Sequence, residues 1–259
     1  MIGIRRSAGD VAPSIICELV KTPFMRNAKR SWSALVLAIA IVAASPAAPA
    51  AGRPDGAVDA PALRAGDKWT YRIVEGHRHK TTWTQTLEVT SAAADAITVA
   101  VTIDGPTGRD TREEVWNAPG IVRSGTIAGF GTKRFEPALI RYRFPLTRGE
   151  AWSQRLRDVD KPAGPYGDVS FKANVVGHET VSTPAGKFDA VKIRYVYQLD
   201  DESLSNYPTQ CEYVVWYAPA VGAAVKEQRR AWSMTKGRSP ARTPAENAVH
   251  ELTAFTHAG

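Results

Sequence analysis

His77-Arg-His79 is the only close pair of histidines in the chain. Side chains two apart on a strand point the same way, so both imidazoles could form half of a metal site. No third and fourth ligand follows at a recognisable spacing, and the flanking Glu-Gly and Lys-Thr-Thr read as a solvated hairpin tip. His77 and His79 are weak metal candidates on this reading, and no cofactor is expected. Residues 158–168 open like a calcium loop with Asp158 and Asp160, but Pro162 and Ala163 stand where that loop needs a ligand and a glycine. Cys211 alternates with Tyr213 and Val215, with no histidine motif beside it, which suits a buried inert thiol. Glu113, Glu114, Glu150, Glu179 and Glu212 leave a hydrolase with paired carboxylates open, since such a site needs no local motif. Nucleophile elbows, zinc-protease motifs and phosphate-cradling glycine loops are missing from the sequence.

Aromatic residues are the other candidates. Seven Trp and eight Tyr, with Arg nearby, could line a groove for sugars or acyl chains, although most fall on apolar faces and read as core. Trp116, Trp216 and Tyr217 are the weak ligand-binding candidates. Trp216 alternates out of step with Tyr213, Val215 and Tyr217, so it must face away from them.

The elements that would position these residues are strands. Trp69, Tyr71 and Ile73 oppose Lys68, Thr70 and Arg72; Trp83, Gln85, Leu87 and Val89 oppose Thr82, Thr84, Thr86 and Glu88. Ile97 to Ile103 and Val191 to Leu199 alternate in the same way, the signature of antiparallel sheet with one dry face. Turn-rich pieces at 104–110, 160–168, 183–187 and 235–247 separate them, and no helical period runs through three turns. The spacing predicts an all-β fold: an antiparallel curved sheet, a sandwich or a partly open barrel.

Two phrases recur in order. Leu63-Arg-Ala-Gly-Asp-Lys-Trp69-Thr-Tyr-Arg is echoed by Leu146-Thr-Arg-Gly-Glu-Ala-Trp152-Ser-Gln-Arg, and Trp116-Asn-Ala-Pro119 by Trp216-Tyr-Ala-Pro219. Two similar tandem units follow, residues 63–145 and 146–259, sharing one compact domain so that each covers the other's apolar face. The repeated tryptophans are its structural anchors.

The front of the chain is an address. From Met25, the basic Arg26, Lys29 and Arg30 precede an apolar run from Trp32 to Ala44, and Ala48-Pro-Ala50 supplies the small residues of a cleavage site. The run is shorter than the roughly 20 residues a membrane-crossing helix needs, so residues 25–50 read as a signal peptide cleaved after Ala50, leaving no transmembrane anchor. Residues 1–24 read as a mis-called start upstream of it, and 51–62 as a flexible lead-in. A periplasmic or secreted bacterial protein is the expectation. The formal charge is +7 overall, yet residues 51–259 carry only 27 basic against 24 acidic side chains, interspersed, so no nucleic-acid partner is expected.

Gly149-Glu-Ala-Trp152, Thr183-Pro-Ala-Gly-Lys-Phe188, Trp216-Tyr-Ala218 and a closing Glu251-Leu252 stand in order in the second half. Together they resemble the motifs of a secreted bacterial family of unknown function. The likeness spans roughly 63–255 and departs where the family has Gly-Val-Gly and this chain has Pro219-Ala-Val-Gly222. It implies an exported β-rich domain and brings no catalytic residues. The function expected is a non-catalytic binding or scaffold module for a lipid-like or polysaccharide ligand. The alternatives are a hydrolase of envelope material and a structural partner of another envelope protein, docking through an exposed edge strand.

Overall fold

Period-two alternation governs the chain throughout the computed structural model, which describes residues 56–76, 79–127, 130–160, 167–200, 208–234 and 242–259. Among them stand twelve strands: β1 (Lys68–Glu75), β2 (Thr81–Ala92), β3 (Ile97–Gly105), β4 (Gly108–Ala118), β5 (Ile121–Ile127), β6 (Phe130–Ile140), β7 (Ala151–Asp158), β8 (Asp168–Thr183), β9 (Gly186–Leu199), β10 (Thr209–Ala218), β11 (Ala223–Met234) and β12 (Arg242–Thr256). Each pairs antiparallel with its neighbours in sequence, and β12 returns to β1 to close a barrel. Of the three arrangements that the sequence leaves open, the chain takes the barrel, with its twelve strands forming a closed ring. The signal segment, residues 1–24 and Cys17 lie outside the described residues.

Closure is uneven. β1 and β12 share a ladder from Lys68–Thr256 to Glu75–Ala248. By contrast, β6 and β7 share only the pairs Phe135–Asp158 and Glu136–Arg157. Beyond them side chains replace the missing ladder. Gln154 accepts from Ile140 N at 2.7 Å and donates to Ala138 O at 3.1 Å, while Trp152 Nε1 donates to Ile140 O at 2.8 Å. Buried backbone groups need partners, and an amide side chain presents the same donor and acceptor as a peptide.

The repeated phrases fall six strands apart. Trp69 stands on β1 and Trp152 on β7; Trp116 ends β4 and Trp216 ends β10. Both phrase-opening tryptophans send their indole N–H to a backbone carbonyl, Trp69 to Val221 O at 2.9 Å and Trp152 to Ile140 O. The turn after Trp216 closes with Val221 N and Gly222 N both donating to Ala218 O, and Gly222 takes the left-handed φ of +66° that glycine permits.

Two expectations meet a different outcome. Residues 56–62 of the lead-in are pinned: Val58 and Leu146 exchange backbone hydrogen bonds at 3.0 and 2.7 Å, and Pro61 packs on Gly222. Residues 242–247, read from Pro and Asn as part of a turn, belong to β12. Pro244 fits there because the β11–β12 register slips beside its partner Trp232.

Outward positions carry ion pairs such as Lys68–Glu88, Arg72–Glu251 and Lys226–Glu251, and large exposed apolar residues reduce to Val176, Val196 and Phe255 among the described residues. No described helix is long and apolar enough to cross a membrane.

Candidate functional site

The inward faces of the barrel divide by side-chain size. Strands β8–β10 contribute Phe171, Tyr195, Tyr197 and Tyr213, whose rings meet in sequence at centroid distances between 4.8 and 6.1 Å. Strands β2 and β3 contribute Val89, Ile97, Val99 and Val101 instead. Rings fill the β8–β10 side; on the β1–β4 side they stand toward the two ends, Trp69 and Trp116 at one and Trp83 at the other, with smaller side chains between.

Trp116 and Tyr217 come together at one end of that interior. With Leu63, Trp69 and Phe144 they line a cavity of about 60 Å³, and Pro61 closes it from the lead-in side. Trp116 Nε1 donates to Glu114 Oε2 at 3.0 Å. The space is too small for more than a water or two, so this end is packed rather than receptive. Trp216 is not part of it. As its parity on β10 requires, it faces outward, where its N–H donates to Glu179 and the Lys192 ammonium lies 5.1 Å from the ring. It is nonetheless only 6% exposed, because the β8–β9 hairpin folds across β10–β12, with Val181 and Ala190 packed in the same cluster and Ala185 N donating to Leu252 O. The shared Trp-x-Ala-Pro phrase thus places one tryptophan inside the barrel and the other outside.

A charged layer crosses the middle. Arg141 lies 3.5 Å from Glu114, and Arg229 Nε donates to Glu227 Oε2 at 2.6 Å. Burial alone would lower both guanidinium pKa values, but the carboxylates and tyrosines around them reverse that, and both are raised. Arg112 is the exception: burial lowers its pKa, and Glu114 and Asp110 offset this only in part. Burial also pushes the Glu246 carboxyl up, against Arg229 and the Tyr213 hydroxyl, which donates to it at 2.8 Å. His250 is held well below 6.5 by burial and then by Arg229, so it is neutral at pH 7.

Beyond this layer the barrel opens into a mouth of about 420 Å³. Ile73, Ile103, Ala245 and Ala248 give it apolar walls; Glu75, Asp110, Glu246, Arg112 and Arg229 give it charges of both signs. Trp83 lines it from β2, seated where a side chain at Gly105 would stand: a Cβ there would lie 1.8 Å from the indole ring. Two donors on these lining side chains, Trp83 Nε1 and Arg112 Nε, are buried without a hydrogen-bond partner. Such groups are uncommon and costly.

The remaining candidates do not converge. Glu113 and Glu212 point outward and exposed, Glu150 lies 3.5 Å from Arg143 in the β6–β7 connection, Glu179 is on the hairpin, and Glu114 alone faces the interior. His79 is exposed and His77 lies outside the described residues; no group of three metal-ligating side chains exists among the described residues. Asp158 is tied to Lys133 at 3.5 Å in a buried pair. Cys211 is fully buried, and burial followed by Glu246 pushes its thiol up to about 12. Sequence reasoning put Trp83 on the right face of β2 but missed Arg112, Glu227 and Arg229. The available signal was charge at inward parity on β4 and β11, where alternation alone predicts apolar residues.

A family model described as DUF3108-like matches residues 169–230, which hold the Thr-Pro-Ala-Gly-Lys-Phe and Trp-Tyr-Ala motifs. The resemblance to a family of unknown function is thereby borne out. No curated protein matches the chain. Among solved structures, one from Parabacteroides distasonis, described as a candidate lipoprotein, is 12% identical with a TM-score of 0.45, covering 77% of this chain and 99% of its own. A candidate exported protein of Bacteroides fragilis with a YmcC-like fold is 14% identical, with a TM-score of 0.43 and the same coverage. The hypothetical lipoprotein YmcC of Escherichia coli is 8% identical with a TM-score of 0.36, covering 73% of this chain and 84% of its own.

Proposed function

We propose that this chain is an exported protein of the bacterial envelope that binds a small ligand in the mouth of its barrel without transforming it. The basic, apolar and small-residue order of residues 26–50 supports export and cleavage after Ala50. The observation that carries the binding role is the cavity of about 420 Å³, within the usual size range of ligand sites and walled by apolar side chains with a few converging polar ones. The expected ligand position moves accordingly, from Trp116, Trp216 and Tyr217 to the opposite end of the barrel.

The hydrolase alternative has less support at the carboxylates named from the sequence, because Glu114 is engaged by Arg141 and Trp116, and Glu113, Glu150, Glu179 and Glu212 lie apart from it. Docking through a free edge strand loses its premise in a closed ring. The six-strand offset between the repeated phrases supports the reading of two related tandem units, 63–145 and 146–259, that complete one barrel.

Native mass spectrometry of protein taken from its own envelope tests the binding role. A non-covalent adduct is expected on the unaltered chain and should vanish in Ala248→Trp, which fills the mouth. A bare mass in the unaltered protein, or an adduct indifferent to Ala248→Trp, would contradict it.

A further inference from the structure

The polar groups around the mouth specify more than a volume. Arg112 and Arg229 face three carboxylates, Glu75, Asp110 and Glu246, across the same cavity. A ligand anion entering there meets the carboxylates, and a ligand cation meets the guanidinium groups. Neither sign is selected. An acyl chain is no better served, since charged side chains interrupt the apolar wall and would lose water without gaining partners. What fits a wall of interleaved donors, acceptors and hydrocarbon is an uncharged molecule with the same interleaving.

The unpartnered donors sharpen this. Trp83 Nε1 and Arg112 Nε can only donate, and both lie just beneath the wall on side chains that line it. Since neither atom is exposed, a ligand oxygen could meet these N–H groups only if the side chains turn toward the cavity they line. The carboxylates retain lone pairs: Asp110 shares one long contact of 3.5 Å with Arg112, and Glu246 accepts from Tyr213. Hydroxyl groups answer both needs, because each accepts and donates at once.

Resting on the binding role above, we infer that the mouth takes a neutral polyhydroxylated ligand, a short oligosaccharide. Its hydroxyl oxygens accept from Arg112 and Trp83, its hydroxyl hydrogens go to Glu75, Asp110 and Glu246, and its C–H face lies on Ile73 and Ile103. Gly105 is part of the site at one remove, since only a residue without a side chain lets the Trp83 ring sit where it does.

Isothermal titration of the purified protein with maltose, cellobiose and diacetylchitobiose, against glucuronate and decanoate as charged controls, tests the assignment. At least one uncharged disaccharide should bind in the millimolar range or tighter, and more tightly than either control. Arg112→Lys keeps the charge but removes Nε, and should weaken that binding roughly tenfold, about one hydrogen bond to a charged donor. Trp83→Phe should weaken it as well, with thermal melts confirming that both variants fold. Decanoate binding in place of any sugar would overturn the ligand class and leave the binding role standing. Sugar binding that ignores both variants would overturn the site. Silence from the whole panel, together with a bare native mass, would remove both.

Discussion

The wall built by β8–β10 and the wall built by β1–β4 with β12 enclose the same interior and treat it differently. On β8–β10 most inward residues are aromatic or branched: Phe171, Tyr195, Tyr197 and Tyr213 meet ring against ring, and Tyr195 O–H finds Arg141 O at 2.7 Å. On β1–β4 the inward rings stand toward the two ends, Trp69 and Trp116 at one and Trp83 at the other, with valines and isoleucines on β3 and the charged Glu114, Arg112 and Asp110 running toward the mouth, where space remains. A core filled to native density gains dispersion and buried area on every side; a wall that leaves polar groups unpartnered gives up part of that gain. Truncations on the aromatic wall should accordingly cost more than truncations beside the mouth.

Truncation breaks this contrast most directly. Phe171 is fully buried among rings, so Phe171→Ala should cost about 3–5 kcal/mol in denaturant melts. Ile103→Ala borders space that already exists and should cost only about 1–2 kcal/mol, since little new cavity forms. Equal losses at both positions would mean that the mouth is as tightly packed as the aromatic wall.

The seam between β6 and β7 comes next. Gln154→Ala strips partners from Ile140 N and Ala138 O together, at about 2 kcal/mol, and should speed hydrogen exchange at Ile140. The β1–β12 closure, carried by backbone pairs, should keep its protection in the same variant.

A pH titration sharpens the comparison further. His250 faces the mouth beside Arg229, Glu227 and Ile73 and has a depressed pKa when folded. The unfolded chain therefore binds more protons below 6.5, so stability contributed by the neutral imidazole is present above that pH and lost as pH falls through it. The loss should approach about 1.4 kcal/mol for each pH unit below it, until the folded imidazole titrates. Glu246, with its raised pKa, works oppositely in the lower carboxylate range, so the slope should ease there. His250→Gln should flatten the profile between pH 7 and 5.

The smallest effect is expected at Trp83. Its N–H has no partner to lose, so Trp83→Phe should change stability by no more than about 0.5 kcal/mol. Trp69→Phe, which abandons Val221 O, should cost about 1–2 kcal/mol.

These contrasts also show how far the sequence speaks. Alternation along Trp69–Ile73, Ile97–Ile103 and Val191–Leu199 reports which faces are dry, because a one-residue slip would turn every side chain over. It carries no count of strands and no sign of closure; the register of Lys68 on Thr256 joins residues at opposite ends of the chain. Pro244 and the neighbouring polar residues hide the start of β12, where an irregular register accommodates them. The candidate site was least legible. Arg112, Glu114, Glu227 and Arg229 break the apolar-inward rule, and on β4 and β11 they resemble solvent-facing residues until the ring is closed around them. Trp116 and Trp216 show the converse, since a shared phrase fixes a turn but not which face its tryptophan takes.

Indole N–H signals in a 15N-labelled sample test the central claim of a receptive mouth and a packed far end, because each tryptophan reports its own position. Titration with the uncharged disaccharide should move the Trp83 signal saturably and leave Trp69, Trp116 and Trp152 in place. Movement of Trp116 with Trp83 unchanged would put the ligand at the packed end and contradict the account.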